Sequence, residues 1–98
     1  MDMQCTSIDE VRQRIDLIDR DIVALLAQRG QWVTQAAAFK SSTDDVRAPA
    51  RVEQVIAKVR TIATDVGASP EVVERVYRAM ISAFIDEELS VHAALSKD

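Results

Sequence analysis

Three cations lie on or beside one long apolar seam within the first 40 residues of the chain. The apolar members of this seam are Ile8, Val11, Ile15, Ile18, Ile22, Leu25, Trp32, Ala36 and Phe39. Arg29 occupies a seam position, Arg12 lies beside the seam, and Lys40 lies about 20° around the helix from Arg29. A cation on such a face must be paired or must face a polar cavity, because burying an unpaired charge is costly. The pattern therefore predicts either structural ion pairs or a bound anion.

Glu88 is an acid on an otherwise apolar helical stripe. It continues the stripe of Ile81 and Phe84 at spacings of 3 and 4, which places its side chain on the inward face. A protonated carboxyl there is able to donate a hydrogen bond to an ether or carbonyl oxygen. Alternatively, Glu88 forms a structural bridge to Arg29 or Lys40. The sequence thus offers several cations and one inward-facing acid but no evident nucleophile. Such a set is typical of a site that catalyses by positioning the substrate and by electrostatic stabilisation.

The remaining candidate groups give weaker signals. Arg47 and Arg51 frame the start of a predicted second helix, where the helix dipole disfavours cations and leaves them available to an anionic ligand. His92 has no Ser, Cys or acidic partner at a telling spacing, and the sequence has no cluster of metal ligands. The single Cys5 has no second cysteine with which to form an internal disulfide. We expect no metal site.

The longest predicted element is a helix from about Ile8 to about Ser41. Its seam alternates at spacings of 3 and 4, the period of a helix packed against other helices. At 1.5 Å per residue, Arg12 and Arg29 lie roughly 25 Å apart on it, too far to share one small ligand. Arg29 and Lys40 lie roughly 16 Å apart, which two long side chains bridge. If all three serve one site, Arg12 must come from a second copy of the chain.

Two further helices complete an all-α chain of one long, one short and one intermediate helix. Ser7 and Glu10 fit a capping box at the start of the first helix. The second begins near Pro49 and ends at Gly67, and Ser69-Pro70 begins the third. We predict one domain, residues 1–98. A first helix of about 50 Å exceeds a compact monomer of this length, so its exposed seam predicts an oligomer.

Composition narrows the class of protein. The net charge of −4 argues against nucleic-acid binding, because neutralising phosphates requires a basic surface. The first residues lack the basic and apolar regions of a signal peptide, and no apolar run approaches about 18 residues. We therefore expect a cytoplasmic protein that binds neither nucleic acid nor membranes.

The chain resembles the all-helical chorismate mutases and their relatives, the isochorismate-pyruvate lyases, over nearly its whole length. The resemblance rests on the segments Val11-Arg12-Gln13-Arg14-Ile15-Asp16-Leu17-Ile18-Asp19, Leu25-Leu26-Ala27-Gln28-Arg29, Ala38-Phe39-Lys40, Val46-Arg47-Ala48-Pro49-Ala50-Arg51, and Ile81 through Glu88. It implies that three helices per chain interlace into a homodimer. Each dimer would hold two active sites, and each site would be built from both chains.

The resemblance also implies a role for each candidate side chain. Arg29, Lys40 and Arg51 of one chain would bind the two carboxylates of chorismate. Arg12 of the other chain would complete that set, and Glu88 would hydrogen-bond the ether oxygen of the enolpyruvyl group. Chorismate would then undergo a Claisen rearrangement to prephenate, without a cofactor.

Two departures from the family pattern bear on the reaction. Many mutases have acids at the positions of Ala48 and Val52 that help to bind the ring hydroxyl, and this stretch looks closer to the lyases. Glu88, in contrast, stands where the lyase has Gln, and family members with Glu there are mutases. Whether Asp44 or Asp45 replaces the missing acids stays open. We predict a mutase of aromatic amino-acid biosynthesis, with a salicylate-forming lyase or a non-catalytic helical dimer as alternatives.

Overall fold

The computed structural model describes residues 4–95, with the side chains of residues 92 and 95 left undescribed. Within that range the chain forms four helices, α1 (Ile8–Ala37), α2 (Thr43–Arg47), α3 (Pro49–Val66) and α4 (Pro70–Leu95), and no strand. The predicted all-α class is confirmed, with α1, α3 and α4 as the long, short and intermediate helices. The five-residue α2 was not predicted. None of these helices is long and apolar enough to cross a membrane.

Caps predicted from the sequence are present at the start of α1 and at the end of α3. The Oγ of Ser7 accepts a hydrogen bond from the Glu10 N–H at 3.2 Å, as in the predicted capping box. The Glu10 carboxylate binds Thr6 rather than the Ser7 N–H, accepting from its N–H at 2.9 Å and its hydroxyl at 3.0 Å. These bonds, the backbone bond above all, lower the pKa of Glu10. Gly67 ends α3 in the left-handed conformation at φ 80°, also as predicted.

The predicted end of the first helix near Ser41 is wrong, because α1 ends at Ala37. The N–H groups of residues 38–40 each donate to the carbonyl three residues earlier, at 3.0–3.2 Å. Such bonds wind the chain more tightly than an α-helix and commonly end one. Ser42 then adopts an extended backbone, φ −147° and ψ 167°, as the N-cap of α2. The new helix start at Ser42 prevents α1 from continuing.

The chain divides into two compact units, Met1–Trp32 and Val33–Asp98. The first unit consists mainly of α1, and none of the thirty residues of that helix is buried. Every apolar residue of the seam is exposed in the single chain, including Trp32 at 69 % and Phe39 at 90 %. Exposed apolar area of this extent is typical of a surface that binds another molecule. That residues 1–98 form one domain stays a prediction.

The second unit has its own small core, formed where α2 and α3 pack on α4. Its buried apolar residues are Val46 of α2, Ile56, Val59 and Ala63 of α3, and Ile81 of α4. Val46, only 2 % exposed, was not predicted to be buried. Ile62 and Val66 of α3 and Val76 of α4 are apolar but exposed. The apolar stripes of α3 and α4 are wider than the strip that one neighbouring helix covers.

A row of ion pairs links α3 to α4 beside this core. Arg78 donates from both Nη atoms to the Glu53 carboxylate at 2.9 Å each, and from Nε to Glu74 at 2.8 Å. Arg60 extends the row to Glu74 at 2.8 Å and Glu71 at 3.4 Å. Hydrogen bonds from Arg78 lower the pKa values of Glu53 and Glu74. Two-pronged arginine–carboxylate pairs add geometric specificity, so this row helps to set the register of the two helices.

Candidate active site

Lys40 and Glu88 meet within the second unit. The ammonium Nζ of Lys40 donates to Oε2 of Glu88 at 3.1 Å, although 48 residues separate them in the chain. Lys40 lies in the short connection between α1 and α2. Glu88 lies on α4, about two helical turns after the core residue Ile81. The Glu88 side chain is only 9 % exposed, which confirms its predicted inward orientation.

This pair is chemically suited to bind an anion beside a neutral oxygen. An ammonium has three N–H donors, of which the pair with Glu88 uses one. The other two are available to a ligand carboxylate, and Lys40 is still 23 % exposed. A protonated Glu88 would add an O–H donor next to that cation. The same bridge is the structural ion pair that the sequence offered as the alternative.

Arg47 and Arg51 lie on either side of the corner between α2 and α3. Arg47 is the last residue of α2, and Arg51 lies in the first turn of α3. Ala48 forms the corner in the left-handed region, at φ 38° and ψ 60°, and Pro49 begins α3 as predicted. Both guanidinium groups are exposed. They are therefore accessible to a ligand, and the proposed binding role of Arg51 stays a prediction.

Arg12 and Arg29 both lie on α1 within the first unit. They belong to one uninterrupted helix, so the separation of roughly 25 Å expected from the sequence holds. Arg12 is exposed and Arg29 is half-buried. One small ligand cannot contact both residues of the same chain. Their contribution to a shared site stays a prediction.

The loop after Lys40 contains an arrangement that the sequence interpretation missed. The hydroxyl of Ser42 accepts a hydrogen bond from the Asp45 N–H at 3.2 Å, while the Asp45 carboxylate binds Ser41. A Ser followed three residues later by an acid is a capping-box signature. Applied to Ser42 and Asp45, that rule would have predicted α2. Burial of Val46 has no comparable local signal.

Some sequence-based statements concern groups that the structure leaves undescribed. The side chain of His92, to which the sequence assigned no partner, is one of them, and so are the first three residues used in the signal-peptide argument. Within residues 4–95, no three His, Cys, Asp or Glu side chains are placed to hold a metal ion.

Comparison with known proteins places these residues in a family. Residues 11–89 match the family described as chorismate mutase type II. The isochorismate pyruvate lyase of Pseudomonas aeruginosa is 33 % identical over 85 residues, which cover 87 % of this chain and 84 % of the relative. The matched span contains all five candidate residues, namely Arg12, Arg29, Lys40, Arg51 and Glu88. With an all-α fold and a match over most of its length, this chain belongs to the chorismate mutase type II family.

Proposed function

We propose that this protein is a chorismate mutase that rearranges chorismate to prephenate. The observation that carries the proposal is the Lys40–Glu88 pair, 3.1 Å apart with Glu88 turned inward, in a chain of this family. Such a pair offers a cation to a carboxylate and, once protonated, a hydrogen-bond donor to an ether oxygen.

The proposed mechanism needs no nucleophile on the protein. In the rearrangement the ether C–O bond breaks while a new C–C bond forms, within one molecule and in one step. Arg29, Lys40 and Arg51 would bind the two carboxylates and hold the substrate in its reactive conformation. Lys40 and Glu88 would stabilise the negative charge that develops on the ether oxygen. Catalysis would follow from these fixed charges being better matched to the transition state than to the substrate.

The proposal includes a homodimer whose active sites take Arg12 from a second copy of the chain. Helix α1 separates Arg12 from Arg29 by roughly 25 Å, so one chain is unable to bring both to one small dicarboxylate. The exposed apolar seam of α1 would supply a surface for the second copy.

A second candidate function is the elimination of pyruvate from isochorismate. It is favoured by the 33 % identity to a protein named isochorismate pyruvate lyase. Both reactions require two carboxylates to be held by cations, and both proceed without a nucleophile. The apolar residues Ala48 and Val52 agree with this candidate, whereas Glu88 favours the mutase.

Product analysis distinguishes these functions. Purified protein is incubated separately with chorismate and with isochorismate, and the products are identified by mass spectrometry. We expect prephenate from chorismate, and a Lys40→Ala variant should lose at least about 100-fold in kcat/KM. Lys58→Ala, which removes an exposed lysine of α3, is the matched control and should keep wild-type activity.

Other outcomes identify the alternatives. Faster formation of salicylate and pyruvate from isochorismate would establish the lyase as the main activity. Turnover of neither substrate, with no thermal stabilisation by a dicarboxylate transition-state mimic, would contradict both enzymes and support a non-catalytic helical dimer.

A further inference from the structure

The Asp45 carboxylate closes a small hydrogen-bonded ring directly after Lys40. Its Oδ2 atom accepts from the Ser41 N–H at 3.2 Å and from the Ser41 hydroxyl at 2.9 Å. In return, the Asp45 N–H donates to the Ser42 hydroxyl at 3.2 Å. These bonds, led by that from the Ser41 hydroxyl, lower the pKa of Asp45. Asp45 is therefore a charged acceptor at neutral pH.

The bond to the Ser41 N–H acts on the backbone of Lys40. That N–H and the Lys40 carbonyl belong to one planar peptide unit. Fixing the direction of the N–H therefore fixes the plane of the unit and restricts ψ of Lys40. The Lys40 side chain then extends from a backbone of set orientation toward Glu88, 3.1 Å from its Nζ.

Helix α2 connects this ring to the helix that carries Glu88. A five-residue helix is not stable by itself, so α2 depends on its cap and on packing. Val46, next to Asp45 and 2 % exposed, provides that packing where α2 contacts α4. Ser41, Asp45 and Val46 thus join the backbone of Lys40 to α4 through a short rigid segment.

We propose that Asp45 is a positioning residue that holds Lys40 in the orientation in which it binds the substrate. The proposal rests on the proposed function in so far as Lys40 binds a substrate carboxylate. Asp45 itself needs no contact with the ligand for this role.

The effect on the Lys40 backbone can be measured without any substrate. Trypsin cleaves after lysine only where the local chain opens, and its rate reports the population of the open form. We expect Asp45→Ala to accelerate cleavage between Lys40 and Ser41 by about fivefold, the size of a lost helix cap. Asp44→Ala is the matched control, because it removes the same charge one residue away and its carboxylate accepts no hydrogen bond within residues 4–95. Its cleavage rate should equal that of the wild type.

Steady-state kinetics test the consequence for the site. We expect Asp45→Ala to raise KM about fivefold with a smaller change in kcat, because the orientation of a substrate-binding cation is lost. Asp45→Asn keeps an oxygen acceptor and should restore most of the wild-type KM. A merely structural role would reduce the folded fraction and leave the KM of the remaining enzyme unchanged.

The proteolysis and the kinetics test different proposals. If the protein turns over neither substrate, the proposed function is wrong, but proteolysis still tests whether Asp45 restrains the backbone of Lys40. Equal cleavage rates at Lys40 in Asp45→Ala and Asp44→Ala would overturn the proposal. If Asp45→Ala does not fold, Ser41→Ala is used instead. It removes the 2.9 Å hydroxyl bond that holds the Asp45 carboxylate against the Ser41 N–H, and cleavage at Lys40 no faster than in the wild type would overturn the proposal.

Discussion

Among single residues, Glu88 is the one whose hydrogen-bonding capacity most affects the proposed chemistry. Its carboxylate accepts a hydrogen bond from the Lys40 ammonium at 3.1 Å. The proposed mechanism needs a hydrogen-bond donor at the ether oxygen, which a carboxylic acid or an amide supplies and alanine does not.

We predict that Glu88→Gln keeps most of the mutase activity, whereas Glu88→Ala loses at least about 100-fold in kcat/KM. The amide of glutamine donates a hydrogen bond to the ether oxygen, and alanine has no donor. Steady-state kinetics with chorismate measure both variants.

A neighbouring acid supplies the control for this experiment. Glu87 is exposed and directed away from the core, so Glu87→Ala should keep wild-type activity. An equal loss of activity in Glu88→Gln and Glu88→Ala would remove Glu88 from the proposed role.

At the scale of helices, the corner between α2 and α3 contains a strained residue. Ala48 has φ 38°, a left-handed conformation that costs an L-residue about 1–2 kcal/mol relative to glycine. It is both the C-cap of α2 and the residue before the first turn of α3. The corner keeps this conformation because Pro49 and the packing of Val46 determine the chain on both sides.

We predict that Ala48→Gly stabilises the protein by up to about 1 kcal/mol, because relief of strain exceeds the greater entropy that glycine loses on folding. Denaturant unfolding measures the change. The same substitution at Ala57, exposed in the middle of α3, should destabilise by about 1 kcal/mol. Equal signs for the two variants would contradict strain at Ala48.

The ion pairs between α3 and α4 give a pH-dependent stability. Arg78 lowers the pKa values of Glu53 and Glu74 in the folded chain. Acids with a depressed folded pKa add stability above their unfolded pKa, about 4.3, and lose it as pH falls through the folded value.

We predict that Arg78→Gln lowers Tm at neutral pH and that its difference from the wild type shrinks below about pH 4 and in high salt. The decrease should be small, because the pairs are largely exposed. Arg75→Gln removes an exposed cation from the same helix and controls for net charge. A difference in Tm that is insensitive to both pH and salt would show that the ion pairs do not cause it.

At the scale of the whole molecule, composite sites make a prediction that no single-chain site makes. Arg12→Ala and Glu88→Ala should each be nearly inactive. Mixed chains that exchange should recover about one quarter of wild-type activity, because half of the dimers are hybrid and each hybrid has one intact site. Activity is measured after unfolding, mixing and refolding the two variants together.

The pair of Lys40 and Glu88 provides the control for this mixing experiment. Both residues lie in the unit Val33–Asp98 of one chain and contact each other there. Mixed Lys40→Ala and Glu88→Ala chains should therefore recover nothing, since every site contains one of the two substitutions. Recovery in this control, or none with Arg12→Ala once chain exchange is demonstrated, would contradict the proposed arrangement.

Features that depend on local patterns were predictable from the sequence. The caps at Ser7 and Gly67 and the start of α3 at Pro49 follow from residue type. The inward orientation of Glu88 follows from helical periodicity. The family was also recognisable from the sequence, because its cations and its inward acid recur at matching positions.

Features that depend on contacts between distant residues became visible in the folded chain and not in the sequence. Pairing of Lys40 with Glu88 spans 48 positions, and burial of Val46 requires α4 as a neighbour. The early end of α1 reflects competition with the cap of α2, whose stability comes from that same packing. Local patterns indicate which face of a helix is apolar, but only the packed neighbours decide which part of that face is covered.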